Sequence, residues 1–188
     1  MRPMHTAAVI LAAGASTRFG TPKQAARIGG RTLLEAVVAL AEAAGLHPII
    51  AVVPPGFAVP SNVVPEVNGD PSAGLSRSLR LGLAAVPPEE ADAAVILLGD
   101  QPTLDPAVIR RLLDEGGDRP VVAAFADGRI GPPILIRRSA FRIADDAMGD
   151  EGLRAVIATN PELVTTIPVG AHAPDVDTPD DLARLTHG

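Results

Sequence analysis

Residues 7–11, 48–53, 93–98 and 121–125 are unbroken apolar runs of five or six residues, mostly Ala, Val, Ile and Leu. Runs that short, apolar on every position, predict strands buried on both faces, since a half-exposed strand would alternate apolar with polar. Between them lie segments with helical periodicity. Residues 32–44 carry Leu33, Leu34, Val37, Val38 and Leu40 as a stripe, with Thr32 and Glu35 spaced as a capping box and Gly45 as the stop. Residues 75–86 place Leu75, Leu79, Leu83 and Val86 on one side, and 106–115 begin with Asp105 as cap and Pro106 at the first helical position. Strands alternating with helices predict a three-layer α/β/α Rossmann-like sandwich around a mainly parallel sheet.

The remaining segments fit the same scheme. A short strand is expected at 63–67, and 129–136 should pair with 121–125 around the turn Asp127-Gly128. Gly131-Pro132-Pro133 removes two ladder donors, so it should lie at an edge or a bulge. Short helices are expected at 138–146 and 151–159, a last strand at 163–169, and a terminal helix capped by Thr178 with Pro179 at its start. No repeat, low-complexity tract or linker divides the 188 residues, which predicts one domain over 1–188.

Charge and composition exclude several functions. The net charge is −6 and aromatic content is four Phe with no Trp or Tyr, so neither a general nucleic-acid surface nor stacking on single strands is expected. The absence of cysteine removes disulfides, thiolate metal sites and cysteine nucleophiles, and fits a cytoplasmic protein. No apolar run approaches the ~20 residues of a membrane span, and the first run passes directly into a glycine loop, unlike a secretory signal. The four histidines are scattered without ligand spacing, and Ser16, Ser76 and Ser78 have neither a local His nor a nucleophile-elbow pattern.

In open α/β sheets ligands bind beyond the carboxyl ends of strands. Three loops here follow strands. The first, Leu11-Ala12-Ala13-Gly14-Ala15-Ser16-Thr17-Arg18-Phe19-Gly20-Thr21-Pro22-Lys23-Gln24, holds glycines, hydroxyls and two cations with no acidic residue, a composition suited to wrapping oxyanions. Its spacing matches neither the P-loop nor the dinucleotide fingerprint. The second, Gly99-Asp100-Gln101-Pro102, delivers a carboxylate to the rim, and Asp175-Val176-Asp177 delivers another. Two carboxylates sharing a site repel unless a cation lies between them. Carboxylates plus substrate phosphates are the usual setting for Mg²⁺, with Mn²⁺ as the alternative. The combination predicts a metal–nucleoside triphosphate site. The N–H groups opening the 75–86 helix, reached through Asn68-Gly69-Asp70-Pro71-Ser72-Ala73-Gly74, could receive an anion as well. Each feature also has an architectural use: a glycine loop closes a strand–helix turn, Asp100 can be a turn residue, Asp177 can cap the last helix, and Arg18 and Lys23 can be solvated surface charges.

Leu11-Ala12-Ala13-Gly14-x-Ser16-x-Arg18-Phe19-Gly20-x-Pro22-Lys23 resembles the signature of nucleotidyltransferases with the nucleotide-diphospho-sugar transferase fold. Asn68 with Gly74-Leu75-Ser76-Arg77-Ser78-Leu79, Gly99-Asp100-Gln101-Pro102, Gly131-Pro132-Pro133, Gly149-Asp150-Glu151-Gly152-Leu153-Arg154 and Asp175-Val176-Asp177-Thr178-Pro179 are similar, in order, to one branch of the MobA-like NTP transferases, the molybdenum cofactor cytidylyltransferases and their relatives. The resemblance implies that Arg18, Lys23 and Asp100 are catalytic and that Asp100 and Asp177 hold Mg²⁺. Leu11, Ala12, Ala13, Gly14 and Ser16 would line the nucleotide, with Arg18 and Lys23 on its triphosphate. Gly74, Ser76 and Ser78 would face the base and α-phosphate, while Gly131 and residues 149–154 would border the acceptor. The implied substrates are an NTP, with CTP favoured by Leu-Ala-Ala-Gly, and a phosphorylated small molecule, molybdopterin, whose product a molybdoenzyme would receive. Gly131-Pro132-Pro133 stands where relatives often carry Gly-His-Pro, and Ala25-Ala26 where Leu-Leu is usual; both departures bear on the acceptor. Methylerythritol cytidylyltransferases resemble the first loop too but carry a further dimerisation arm. Guanylyl transfer to molybdenum cofactor or to a phospholactate-type acceptor, and a non-catalytic nucleotide or cofactor carrier, are the other readings.

Overall fold

The structure is a computed structural model and describes residues 4–14, 23–115, 117–150 and 153–187. Its elements run β1 (Thr6–Leu11), β2 (Arg27–Ile28), β3 (Arg31–Thr32), α1 (Leu33–Ala43), β4 (Ile49–Val53), β5 (Val64–Val67), α2 (Leu75–Ala84), β6 (Ala93–Leu98), α3 (Pro106–Glu115), β7 (Val121–Ala126), β8 (Arg129–Arg137), α4 (Leu153–Thr159), β9 (Val164–Pro168) and α5 (Pro179–His187). Seven strands form one sheet in the order β5-β4-β1-β6-β8-β7-β9. Every neighbouring pair is parallel except the two made by β8. The three-layer reading holds, because alternate residues of each central strand feed two separate cores. In β1, Ala7, Val9 and Leu11 pack with Leu79 and Leu83 of α2 and Val156 and Ile157 of α4. Ala8 and Ile10 pack with Leu34, Val37 and Val38 of α1 and Ile109 and Leu112 of α3. A strand that must fill both cores has no room for a polar residue, which is why these runs are uniformly apolar.

Local signals set the element ends. Thr32 accepts from the Glu35 amide at 3.1 Å and Glu35 returns the bond to the Thr32 amide at 2.7 Å, completing the capping box of α1. Asp105 caps α3 through the Ala107 amide at 2.8 Å. Asp127 and Gly128, at φ 53° and 73°, make the tight turn between β7 and β8. The sequence reading passed over β2–β3, a two-residue hairpin whose turn is Gly29-Gly30, because runs this short carry no periodicity.

The bounds of the helices expected after β8 are corrected in detail. Residues 138–144 form a 3-10 segment rather than a helix reaching 146, and α4 is described only from Leu153. Of the two placements expected for Gly131-Pro132-Pro133, an edge or a bulge, the structure has the bulge, on an interior strand between β6 and β7. The prolines are tolerated there for two reasons. Pairing with β6 stops at Ile134, and the β7 register jumps so that Ala123 faces Ile134 while Ala124 faces Gly131. Pro132 and Pro133 are the bulged pair, where no ladder donor is needed.

Gly82, in the middle of α2, marks the closest helix–sheet approach. A Cβ there would stand 2.3 Å from Val9 Cγ1 and 3.0 Å from Val52 Cγ2. Alanine normally improves a helix interior by ~1 kcal/mol, but overpacking costs roughly 1–3 kcal/mol. Gly82→Ala is therefore expected to lower the urea midpoint, and adding Val9→Ala should recover part of the loss. A higher midpoint for Gly82→Ala alone would refute the packing argument.

Candidate active site

The loops after β1, β6 and β9 meet on one rim of the sheet. Lys23 Nζ lies 2.6 Å from Asp100 Oδ2 and 2.8 Å from Asp177 Oδ1, so one ammonium bridges two carboxylates 77 and 154 residues away in sequence. Asp100 directly follows the turn that ends β6, and Gly99 allows that turn to lie against β1: a Cβ at Gly99 would be 2.8 Å from Ala12 Cβ. Asp177 is not the cap of the last helix. Thr178 and Asp181 cap α5 reciprocally, Thr178 N donating to Asp181 Oδ2 at 2.8 Å and Asp181 N to Thr178 Oγ1 at 3.2 Å. Asp177 is left to face Lys23.

The electrostatics follow from this arrangement. Burial alone would pull the Lys23 ammonium down, yet the hydrogen bonds and charges of Asp100 and Asp177 outweigh it and hold its pKa above the ordinary lysine value. The ammonium thus stays charged through the neutral range. Partial desolvation, then the nearby Asp100 charge, push the Asp175 carboxyl upward, while its hydrogen bond from Gln101 pulls the other way. Asp100 Oδ1 is buried and has no hydrogen-bond partner among the described residues. A buried carboxylate oxygen without a donor, with a second carboxylate held nearby by an ammonium, suits a hard divalent cation such as Mg²⁺ or Mn²⁺. Among the described residues no group of three or more acidic or His side chains gathers at ligand spacing, so phosphate and water oxygens would complete the shell.

Beside the carboxylates opens a cleft of about 620 Å³. Of the residues expected to bind nucleotide, Leu11, Ala13, Gly14, Gly74 and Ser78 line it together with Lys23, Asp100 and Asp177. Ala12 is 1% exposed and packs into the core under Gly99, and the Ser76 side chain is buried at 2%. Gly131 lines a second, smaller and largely apolar hollow that shares Leu11, Leu75, Leu98 and Asp150 with the cleft. Ser16 and Arg18 lie outside the described residues. Asp150, in the 149–154 segment expected at the acceptor, lines the cleft, whereas Asn68 and Asp175, for which no role of their own was expected, do not line it but support the loops around it. Asn68 Nδ2 donates to Ser78 Oγ at 3.0 Å and Asn68 Oδ1 accepts from the Asp70 amide and Arg77 Nε, each at 3.0 Å, so it shapes the loop before α2. Asp175 was recognisable in principle, since residues two apart on an extended segment face the same side.

Two of the N-terminal amides of α2 are already engaged within the chain. Ser76 N donates to Gly149 O at 3.0 Å and Leu75 N to Asp150 Oδ1 at 3.3 Å. The helix dipole attracts a carboxylate, and the chain supplies its own from the loop before α4.

Residues 8–165 match the MobA-like NTP transferase domain. The chain belongs to that family. Its relatives include the bifunctional protein GlmU of Sorangium cellulosum, 32% identical over 183 residues covering 85% of this chain and 38% of that protein. The chain thus spans well under half the length of the curated relatives it matches. Rv0371c from Mycobacterium tuberculosis H37Rv shares the fold over 100% of both chains, with TM-score 0.84 and 32% identity. Rv0371c from the same organism in complex with manganese covers 97% of this chain and 98% of that one, with TM-score 0.80 and 30% identity. The family match stops at residue 165, before Asp175 and Asp177.

Among the described residues no helix is long and apolar enough to cross a membrane.

Proposed function

We propose that this protein is a divalent-metal-dependent nucleotidyltransferase, one domain over 1–188, that moves CMP from CTP onto the phosphate of a small acceptor of the molybdopterin class and releases pyrophosphate. The observation that carries the reading is the Lys23 ammonium between Asp100 and Asp177 at the mouth of the cleft. Family membership and the manganese complex of Rv0371c support it.

In the proposed reaction an acceptor phosphate oxygen attacks the α-phosphorus, a new P–O bond forms, and the bond to the β-phosphate breaks with its electrons leaving on pyrophosphate. An acceptor phosphate is largely ionised at neutral pH, its second pKa being ~6, so no side chain has to take a proton. Catalysis then rests on positioning and charge neutralisation. Asp100 and Asp177 would hold the cation, which when bound screens the phosphates. Lys23, already placed beside both carboxylates, would trade one of them for the β,γ-phosphates, and Arg18 would act on the same charge. Leu11, Ala13, Gly14, Gly74 and Ser78 would bind the nucleotide, with Ala12 and Ser76 shaping those walls from behind. Gly131 and the hollow beside it would take the acceptor.

Pyrophosphate release should be measured with each of the four NTPs, Mg²⁺ or Mn²⁺, and molybdenum cofactor, with the product identified by mass. Metal-dependent release with CTP and a CMP-cofactor product is expected. Nucleotide binding without release under any of these conditions would overturn the assignment in favour of a carrier.

A further inference from the structure

The glutamine after Asp100 is buried, at 4% exposure, yet it is committed to a segment more than seventy residues away. Its side-chain Nε2 donates to the Ala173 carbonyl at 3.1 Å and to Asp175 Oδ1 at 2.9 Å. One residue earlier the Asp100 carbonyl accepts from the Val176 amide at 2.9 Å. Both amide hydrogens of Gln101 therefore point at acceptors, which fixes the amide's orientation: turned over, its oxygen would face a carbonyl and a carboxylate. Gln101 Oε1 is left buried with no hydrogen-bond partner among the described residues. A residue kept only for packing would shed that penalty by being apolar.

The strap runs from Ala173 to Asp177, is tied at Ala173, Asp175 and Val176, and has its last residue on Lys23. All three ties go to two consecutive residues, Asp100 and Gln101. The same turn that carries one carboxylate of the site thus sets the distance and direction of the other.

We infer that Gln101 is a positioning residue for the divalent cation: its amide clamps the Ala173–Asp177 strap so that Asp177 meets Asp100 at cation-sharing distance. The inference rests on the reading of Asp100 and Asp177 as cation ligands. Residues that orient metal ligands without touching the metal typically change its affinity 10–100-fold.

The test uses the full chain with Mn²⁺ and CTP, following free Mn²⁺ by electron paramagnetic resonance, alongside amide hydrogen exchange over 170–178 and urea unfolding. Gln101→Met keeps the length and removes the donors. Mn²⁺ affinity is expected to fall roughly 10–100-fold, with faster exchange at Val176, unchanged metal-free CTP binding and a folded protein by circular dichroism. Asp175→Asn keeps an acceptor for Gln101 and should hold Mn²⁺ within a few-fold of the parent, because Asp175 anchors the strap. If Gln101→Met does not fold, Gln101→Glu, which puts a carboxylate against Asp175, must give the same loss of Mn²⁺ and the same local exchange. Parent protein that binds Mn²⁺ while Gln101→Met or Gln101→Glu binds it equally well overturns the clamp alone. Parent protein that binds no Mn²⁺ overturns the carboxylate reading and the clamp with it.

Discussion

Lys23→Ala is expected to lower turnover roughly 10²–10³-fold, by the scale seen when one charge-stabilising donor is removed from a transition state, and Asp100→Asn should fall in the same range. The two changes act on opposite sides of one arrangement. Without the ammonium, Asp100 and Asp177 face each other with no compensating charge among the described residues, so metal-free protein should bind nucleotide poorly. Asp100→Asn keeps the size of the side chain but replaces the anion that holds Lys23 at 2.6 Å. Neither position lies in the two cores, so circular dichroism and the urea midpoint should change little. The measurement is pyrophosphate release at saturating NTP and metal. Turnover within threefold of the parent in either variant would remove the chemical role assigned to this group.

Gly74→Ala should be nearly as damaging, by a different route. Gly74 has φ 82° and ψ −179°, a backbone region open essentially to glycine alone. A Cβ there would also stand 2.6 Å from the Gly149 carbonyl carbon and 2.9 Å from its oxygen. That neighbour is backbone and cannot rotate away. The same Gly149 carbonyl accepts the Ser76 amide, and Asp150 accepts the Leu75 amide, so the substitution pushes apart the start of α2 and the loop that seats on it. Backbone strain of this kind costs about 1–3 kcal/mol. Because Gly74, Leu75, Ser78 and Asp150 all line the cleft, misplacement near 1 Å is expected to lower turnover about 10²-fold. Urea unfolding and pyrophosphate release check the two parts separately. A variant with unchanged stability would show that the loop yields without cost.

The layer order and helix stops were legible because each rests on a local rule. Apolar runs with no alternation can only be strands covered on both faces, and Thr32 with Glu35, Asp105 with Pro106, and Asp127-Gly128 each announce an end or a turn within four residues. The prolines of β8 show the limit of such rules. Pro132 and Pro133 predict an edge or a bulge without deciding between them; the strand is interior, because a bulge against β7 and the end of pairing with β6 fall on the same two residues. Register is a property of two strands and cannot be read from one. The start of α2 shows it again: its amides invite an anion, but Gly149 and Asp150, some seventy residues on, reach those of Ser76 and Leu75 first.

For the rim of the sheet, the sequence alone determined that loops carrying a lysine and carboxylates follow buried strands, and that Asp100, two residues after β6, has nowhere else to go. It could not say which of them touch. That Lys23 lies between Asp100 and Asp177, that Gln101 ties down the strap carrying Asp177, and that Ala12 and Ser76 turn away from the cleft were decided only by tertiary structure. The reason is physical: an ion pair across 154 residues depends on how sheet order and loop length bring two ends of the chain together, and neither is encoded within reach of the residues that form it.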